Sequence, residues 1–337
     1  MTASAYYHRL RDSQRLLLSQ DEVRWHLQVT GSPPQSDVVV DFGCGLQLVP
    51  NVMVEMVDVL TELGAKVAAV AGPQWCCGMP VEEEVAGGSL GVVRASVHHL
   101  SKFQPRMVFQ SCGAWWPNTG KLRDAGEPLP FGLEHLSQLV LDTLQSRADS
   151  IAWPQAPTTK VLLHLKAQDA TEAERAERPS LSTTDRAVPA ILELIPSVEI
   201  VGEVEQPAAG RPCDTDTDDD DSILAALSPQ ERQGVSDELA AQAARAGADV
   251  IVCAHHRCYQ EWAKFATESL PVRHYISVLA DALGLAQPSR YHQCWALPST
   301  DDIVEATAPQ WQSWDLSRDE ASLIAQEVFP KHPRSRG

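Results

Sequence analysis

The eight cysteines are the residues of this 337-residue chain whose types and spacing most invite chemistry. Cys44 is followed after thirty-one residues by Cys76-Cys77, and these after thirty-four more, the first of them Gly78, by Cys112. The other half holds Cys213, Cys253 and Cys258 together with His164, His255 and His256. Thiolates are soft ligands suited to iron–sulfur clusters or zinc, and imidazole completes many zinc sites. A free cysteine more often packs as a small hydrophobe. That is the expectation for Cys294, alone in Tyr291-His292-Gln293-Cys294-Trp295. What sets the first group apart is where each thiol falls along the chain.

The elements that must position them are strands and helices in alternation. Asp37 to Phe42 is β-branched and predicts a buried strand that ends at Gly43-Cys44-Gly45. Val49, Met53, Met56, Val57, Leu60 and Leu63 keep one apolar helical face, and Gly64 stops that helix. Lys66 to Ala71 predicts a second strand, running into Trp75-Cys76-Cys77-Gly78. Leu90, Val93, Val97 and Leu100 mark a helix, and Arg106 to Gln110 a third strand that ends at Cys112. Such alternation predicts an α/β fold with a parallel sheet. Ligands at the carboxyl ends of parallel strands meet at one edge of the sheet, and there four thiolates would form a soft, closed site. Gly43, Gly45, Gly78 and Gly113 would let backbone approach the sulfurs, and Trp75, Trp115 and Trp116 would screen them from water.

The second half repeats the scheme. Strands are expected over Lys160 to Leu165, Val198 to Val204 and Asp249 to Val252, and helices over Ala187 to Leu194 and Tyr275 to Leu283. Ser228-Pro229-Gln230-Glu231 is a capping-box start for a helix that runs to about Ala246. The halves therefore read as a diverged duplication, two pseudo-repeated Rossmann-like units. In it Cys44, Cys76-Cys77-Gly78 and Cys112 correspond to His164, Cys213 and Cys253. The acidic run Asp214 to Asp221 and the charged stretch Asp169 to Ser182 read as solvated insertions. The expected organisation is an N-terminal extension (1–36), a first unit (37–150), a second unit (160–288) and a C-terminal extension (289–337), with Trp153 to Thr159 as a linker.

A strand-end cysteine, a Cys-Cys-Gly and a strand that ends in Ser-Cys together resemble the cysteine-rich CCG domain family. The B subunit of heterodisulfide reductase and the iron–sulfur subunits of glycolate, lactate and anaerobic glycerol-3-phosphate dehydrogenases belong to it. The resemblance spans roughly residues 37 to 285 and rests on the first copy. There the family's closing Cys-x-x-Cys reads Cys112-Gly113-Ala114-Trp115, one cysteine short. What the resemblance implies is therefore an ordinary [4Fe–4S] cluster on Cys44, Cys76, Cys77 and Cys112 rather than a noncubane pair, unless one of the vicinal thiols is reactive instead. In the second copy His164 falls at the family's first-cysteine element. Cys213, Cys253, Cys258 and one of His164, His255 or His256 would hold zinc, a [2Fe–2S] centre or a cluster of altered potential. The implied function is electron transfer to or from a disulfide, thiol or sulfur-carrying substrate. It is exercised as part of a heterodisulfide-reductase-like complex, beside a ferredoxin-like C subunit and a flavin-containing A subunit. Two other readings compete with it: a zinc-bound or cluster-free scaffold, and a redox protein using Cys76-Cys77 as a vicinal dithiol.

Charge and hydropathy narrow the classes further. With 27 basic against 45 acidic residues the net charge is −18, which disfavours nucleic-acid partners. No run of eighteen apolar residues is present to span a membrane, and Met1 to Gln14 lacks the apolar core of a secretory signal. A cytoplasmic location is the expectation, and in a reducing compartment grouped cysteines serve metals or redox rather than disulfide staples. Gly87-Gly88 and Gly43-x-Gly45 fit no dinucleotide or phosphate-loop form, and His98-His99 has no cysteine at a useful spacing.

Overall fold

Two four-stranded parallel sheets with the same strand order form the frame of the molecule. The computed structural model describes residues 3–29, 31–78, 88–165, 179–205, 228–266 and 270–330. The first unit runs β1 (Val38–Asp41), α2 (Pro50–Glu62), β2 (Ala68–Val70), α3 (Gly88–Ser101), β3 (Met107–Gln110), α4 (Trp115–Asp124), β4 (Gly132–His135) and α5 (Leu136–Arg147), after an N-terminal α1 (Ala3–Leu17). The second runs β5 (Thr159–His164), α6 (Pro179–Glu193), β6 (Val198–Glu203), α7 (Pro229–Ala246), β7 (Val250–Cys253), α8 (His256–Trp262), β8 (Val272–His274) and α9 (Tyr275–Ala282). Helices α10 (Arg290–Ala296), α11 (Thr300–Ala306), α12 (Ala308–Gln312) and α13 (Arg318–Val328) complete the described chain. Strand order is β2-β1-β3-β4 in one sheet and β6-β5-β7-β8 in the other, every pair parallel.

The strands are near-continuous apolar runs because helices cover both faces of a parallel sheet. Alternate residues face opposite sides: Val39 and Val108 join a cluster with Trp75, Val93, Phe103 and Trp115, while Val40 and Phe109 join the large core that continues into the second unit. That core is shared because the last helix of each unit packs on the first helix of the other, α5 on α6 and α9 on α2. Buried polar contacts fix the docking. Ser277 Oγ donates to Glu55 Oε2 at 2.5 Å, and Thr184 Oγ1 lies 3.1 Å from His135 Nδ1. The expected capping box is present: the Ser228 amide donates to Glu231 Oε2 at 2.7 Å, and Gly247 takes the left-handed turn (φ +65°) that ends α7.

Leu133 lies in the edge strand β4, and the helix beyond it begins at Leu136. One expectation is corrected: strand register shifts the correspondence between the copies. Asp41 pairs with Gln110 and Gln110 with His135 in one sheet; His164 pairs with Cys253 and Cys253 with His274 in the other. His164 therefore occupies the place of Asp41, not Cys44, and Cys253 the place of Gln110, not Cys112. Counting on from the strand ends, Cys112 matches His255 and Trp115 matches Cys258. The segment that closes as Cys-x-x-Trp in the first unit closes as His-x-x-Cys in the second. Cys213, the acidic run 214–221 and most of the charged stretch 169–182 lie outside the described residues.

The chain on either side of the two units forms a single cap. Helix α1 packs against α12 and α13. Trp314 Nε1 donates to Leu18 O at 2.7 Å, and Arg290 Nη1 reaches Leu17 O at 3.0 Å and Glu22 Oε1 at 2.8 Å.

Candidate metal centre

Each cysteine of the first unit follows a strand end held by its own local bonds. Beyond β1 the chain turns at Gly43, whose φ of +62° favours glycine, and the Gly43 amide donates to Asp41 Oδ1 at 2.7 Å. Gln110 Nε2 donates to the other carboxylate oxygen at 2.6 Å, tying β1 to β3. Burial pushes the Asp41 carboxyl well above the usual range, and the Gln110 and Gly43 bonds oppose that shift. Ser111 Oγ donates to Phe42 O at 2.8 Å, so Cys112 is carried to the Cys44 turn, with its Cβ 3.6 Å from where a Gly43 side chain would begin. Beyond β2, Ser96 of α3 donates to Cys76 O at 2.7 Å. Gly78 (φ +86°) brings its backbone so near Ser89 that an added Cβ would lie 2.7 Å from Ser89 O.

These constraints draw the four thiols into one chain of contacts. Cys44 Sγ and Cys76 Sγ are 3.7 Å apart, and Cys77 bonds both Cys76 and Cys112. The Gly78 amide donates to Cys76 Sγ at 3.4 Å. Hydrogen bonds from Cys44 and Cys77 hold Cys76 well below the usual thiol range. The same bonding, with burial, pushes Cys44 well above it; Cys77 is raised by its contacts with Cys112 and Cys76. Cys76 is thus the most acidic thiol of the set. Cys44, Cys76 and Cys77 are buried, Cys77 in a cluster with Trp75 and Trp115; Cys112 packs against that cluster, is half-buried and forms the accessible side.

Helix α1 closes the site over the sulfurs, a role sequence reasoning did not assign to it. Tyr6 Oη lies 3.4 Å from Cys44 Sγ and Tyr7 lies against Cys76, with Leu10, Leu48 and Val92 packed around them. Only the helical spacing of Tyr6, Tyr7, Leu10, Gln14 and Leu17 foreshadows that cover.

The second unit brings its candidates together differently. His164 stacks edge-on to Trp262 with centroids 4.5 Å apart, beside buried Cys253. His255 stacks on His256 at 4.6 Å. His256 turns toward the first unit, where a Cβ on Gly45 would lie 2.8 Å from its Nε2, and Gln260 Nε2 donates to Gly45 O at 2.7 Å. Unit two thus clamps the turn just after Cys44. Cys258 is buried one helical turn from His255, and Cys294 is buried as expected of core. Among the described residues, no group of three or more His, Cys, Asp or Glu is disposed to hold a metal ion.

His135 and His274 were also missed. Each ends the fourth strand of its unit, and its Nδ1 accepts the amide two residues on, from Ser137 at 3.2 Å and Ile276 at 3.4 Å. Burial lowers them to about 4 and about 3, so both imidazoles are neutral near pH 7. Together with Ser111, His255, His256 and Tyr275 they line a hollow between the units. The signal was present: His135 with Asp142 and Leu144, and His274 with Asp281 and Leu283, share one spacing.

As a donor set, three buried thiols and one half-buried, with an amide and a phenol on the sulfurs, fit an iron–sulfur cluster or zinc in their chemistry. No helix among the described residues is long and apolar enough to cross a membrane. No family model matches the chain. Over 117 residues, 32% of its length, it is 29% identical to the D subunit of the dihydromethanophenazine:CoB–CoM heterodisulfide reductase of Methanosarcina barkeri. That match spans 27% of the archaeal protein. A hypothetical protein from Helicobacter pylori superposes with a TM-score of 0.41 at 9% identity, covering 85% of this chain and 56% of that one.

Proposed function

We propose that this protein is an iron–sulfur electron-transfer subunit of a heterodisulfide-reductase-like complex, with its cluster in the first unit. The observation that carries the reading is the gathering of Cys44, Cys76, Cys77 and Cys112 at three strand ends beneath tryptophan and tyrosine cover. Similarity to one chain of a heterodisulfide reductase supports the class of complex. In this reading the four cysteines hold a [4Fe–4S] cluster, which supplies one-electron storage when bound. The chain's own residues do the rest. Gly78 N–H and Tyr6 place hydrogen bonds on the sulfurs, and such bonds adjust a cluster's potential. Trp75 and Trp115 exclude water, and half-buried Cys112 marks the side from which a partner or substrate is reached.

The substrate class is a disulfide, thiol or sulfur carrier. Reducing a disulfide takes two electrons and two protons and releases two thiols, so an electron donor must come from elsewhere in the complex. The ferredoxin-like C subunit and the flavin-containing A subunit are the proposed partners.

The deciding measurement is iron and sulfide content with EPR on anaerobically purified protein, beside Cys77→Ala. About four irons and four sulfides per chain, lost in the variant, are expected. Iron clearly above that would add a second centre on Cys213, Cys258 and a histidine of the second unit. Zinc alone, or no metal, would sink the electron-transfer reading.

The 3.7 Å approach of Cys44 and Cys76, with the Cys76 thiol held below the usual range by its neighbours, favours a second reading as a dithiol redox protein. There Cys76-Cys77 would keep their thiol exchange activity after Cys112→Ala, an outcome the cluster reading forbids.

A further inference from the structure

Two indole N–H groups are buried beside the thiols of the first unit without an acceptor. Trp75 ends the single turn Pro73–Trp75 and immediately precedes Cys76. Trp115 closes the turn that begins at Cys112, its amide donating to Cys112 O at 3.3 Å, a turn of the kind that sets side chains three apart on one face. Both side chains are fully buried, and neither Nε1 has a hydrogen-bond partner among the described residues. In the cap, by contrast, Trp311 Nε1 donates to Val304 O at 2.9 Å and Trp314 Nε1 to Leu18 O at 2.7 Å. A buried donor left without an acceptor is costly, so each such group in a fold calls for an explanation.

The neighbours of the two rings narrow the acceptor to sulfur. The buried cluster that holds both is otherwise Cys77 and hydrocarbon side chains such as Val93, Phe103 and Leu122, with Cys112 packed against it. Sulfur is the one side-chain acceptor among its members. A neutral thiol accepts weakly, whereas the sulfurs of an iron–sulfur cluster carry negative charge and accept well. Trp25 and Trp262 also lack a partner at Nε1 among the described residues, but they lie in the other core, edge-on to Phe42 and His164. The second unit sharpens the point. It carries the thiol of Cys258 at the place of Trp115, so the first unit has a hydrogen-bond donor where its copy has a sulfur.

We infer that Trp75 and Trp115 donate their indole N–H groups to sulfurs of the bound cluster and so raise its reduction potential. The inference rests on the reading that the four cysteines hold an iron–sulfur cluster, and it gives the tryptophans a task beyond excluding water. A donor on sulfur favours the more negative, reduced state, because a hydrogen bond to a charged form stabilises that form. Phenylalanine keeps most of the ring and removes the donor, which separates the bond from the packing.

The test is an EPR-monitored redox titration of the anaerobically purified full chain, with iron and sulfide assayed on every sample. Trp75→Phe and Trp115→Phe should each keep about four irons per chain. Each should lower the ratio of reduced to oxidised cluster at a fixed potential about tenfold, which is about 59 mV for a one-electron couple. Trp25→Phe should leave the midpoint unchanged. A second measurement needs no substitution: with tryptophan labelled by heavy nitrogen in the indole ring, pulsed EPR of the reduced wild type should show that nitrogen coupled to the cluster. An iron-loaded wild type without such coupling overturns the inference, as do midpoints unmoved or raised in both folded variants, or an equal shift in Trp25→Phe. A shift in one variant alone keeps the role for that tryptophan and removes it from the other. Should either variant fail to fold or lose its iron, the coupling in wild type decides the matter. A chain that binds no iron overturns the electron-transfer reading and this one together; a cluster indifferent to both tryptophans overturns this one alone.

Discussion

The two units share strand order, helix order and a strand-end histidine, and in the first, Cys44, Cys76, Cys77 and Cys112 form one chain of contacts. At the carboxyl ends of β1 and β3 it places Asp41 against Gln110, a hydrogen-bonded pair that ties the strand ends just before Cys44 and Cys112. At the same two positions the second unit places His164 and Cys253. Its chemistry-bearing types have moved back onto the sheet itself, and His255 and His256, beyond the strand end, face the first unit's turn. A parallel sheet fixes where strand ends meet but not what they carry, so one scaffold serves as a thiol site in one copy and as a clamp in the other.

The sharpest way to break that comparison is to remove one cysteine from each unit. Cys76→Ala should abolish bound iron, because Cys76 contacts both Cys44 and Cys77 and lies at the middle of the chain of contacts. Cys253→Ala should keep the iron content of wild type, measured by metal analysis and EPR, and cost only core packing. Equal iron loss in both would erase the distinction between the units.

The histidines test the symmetric part. His135 and His274 are held neutral by burial, so the unfolded chain binds protons that the folded one refuses. Their contribution is complete above about pH 6.5 and is lost as pH falls toward 4. Glu55 on α2 acts in the opposite sense. Burial raises it to about 7, while Ser277, the Gln287 amide, Arg273 and Asn51 oppose the shift. It favours the protonated fold at low pH, and that advantage is lost as pH rises from about 4.5 to above 7. Urea midpoints measured from pH 5 to 8 should therefore fall less steeply at the alkaline end in Glu55→Gln than in wild type. A difference on the order of 2–3 kcal/mol is expected across that window, since one pH unit is worth about 1.4 kcal/mol. Parallel profiles would mean Glu55 is charged in the fold.

A smaller effect probes the clamp. In Gly45→Ala the new methyl would begin 2.8 Å from His256 Nε2, so the ring or the turn must shift. Crowding of this kind costs about 1–3 kcal/mol, read from chemical denaturation. Pairing it with His256→Ala should recover much of the loss, because the two changes meet at one contact.

Much of this frame was legible in the sequence because buried parallel strands are uniform apolar runs: Val38-Val39-Val40 and Val250-Ile251-Val252 declare themselves. The edge strands Gly132–His135 and Val272–His274 do not. They are short and mix Glu134 or Arg273 with apolar residues, and an apolar helix follows each directly. The approach of Cys44, Cys76, Cys77 and Cys112 followed from strand-end positions. The match of Cys112 to His255 did not, since it depends on which residues pair across β3–β4 and β7–β8, and similar letters pointed to Cys253 instead. The tyrosine cover from α1 is a contact between distant segments: helical spacing shows that the α1 face is buried, but not that it is buried on the cysteines.

The last comparison sets α3 against α7, the helices that precede the third strand of each sheet. Helix α3 is pinned to the thiol site through Ser96 and the close approach of Ser89 to Gly78. Helix α7 is tied through Gln242, whose Nε2 donates to Glu205 O at 2.9 Å just beyond β6. Its Gly234 is exposed, with nothing within 4 Å of an added Cβ. Alanine there restricts the unfolded chain and suits an α-helix interior, so Gly234→Ala should stabilise the protein by about 0.5–1 kcal/mol with iron content unchanged. Gly78→Ala asks the same of the α3 side and should fare far worse. Its φ of +86° disfavours any side chain and the Cβ meets Ser89 backbone, so both the urea midpoint and the bound iron should drop. If the two alanines behaved alike, the first unit's helix would be no more committed to the cysteines than its copy is.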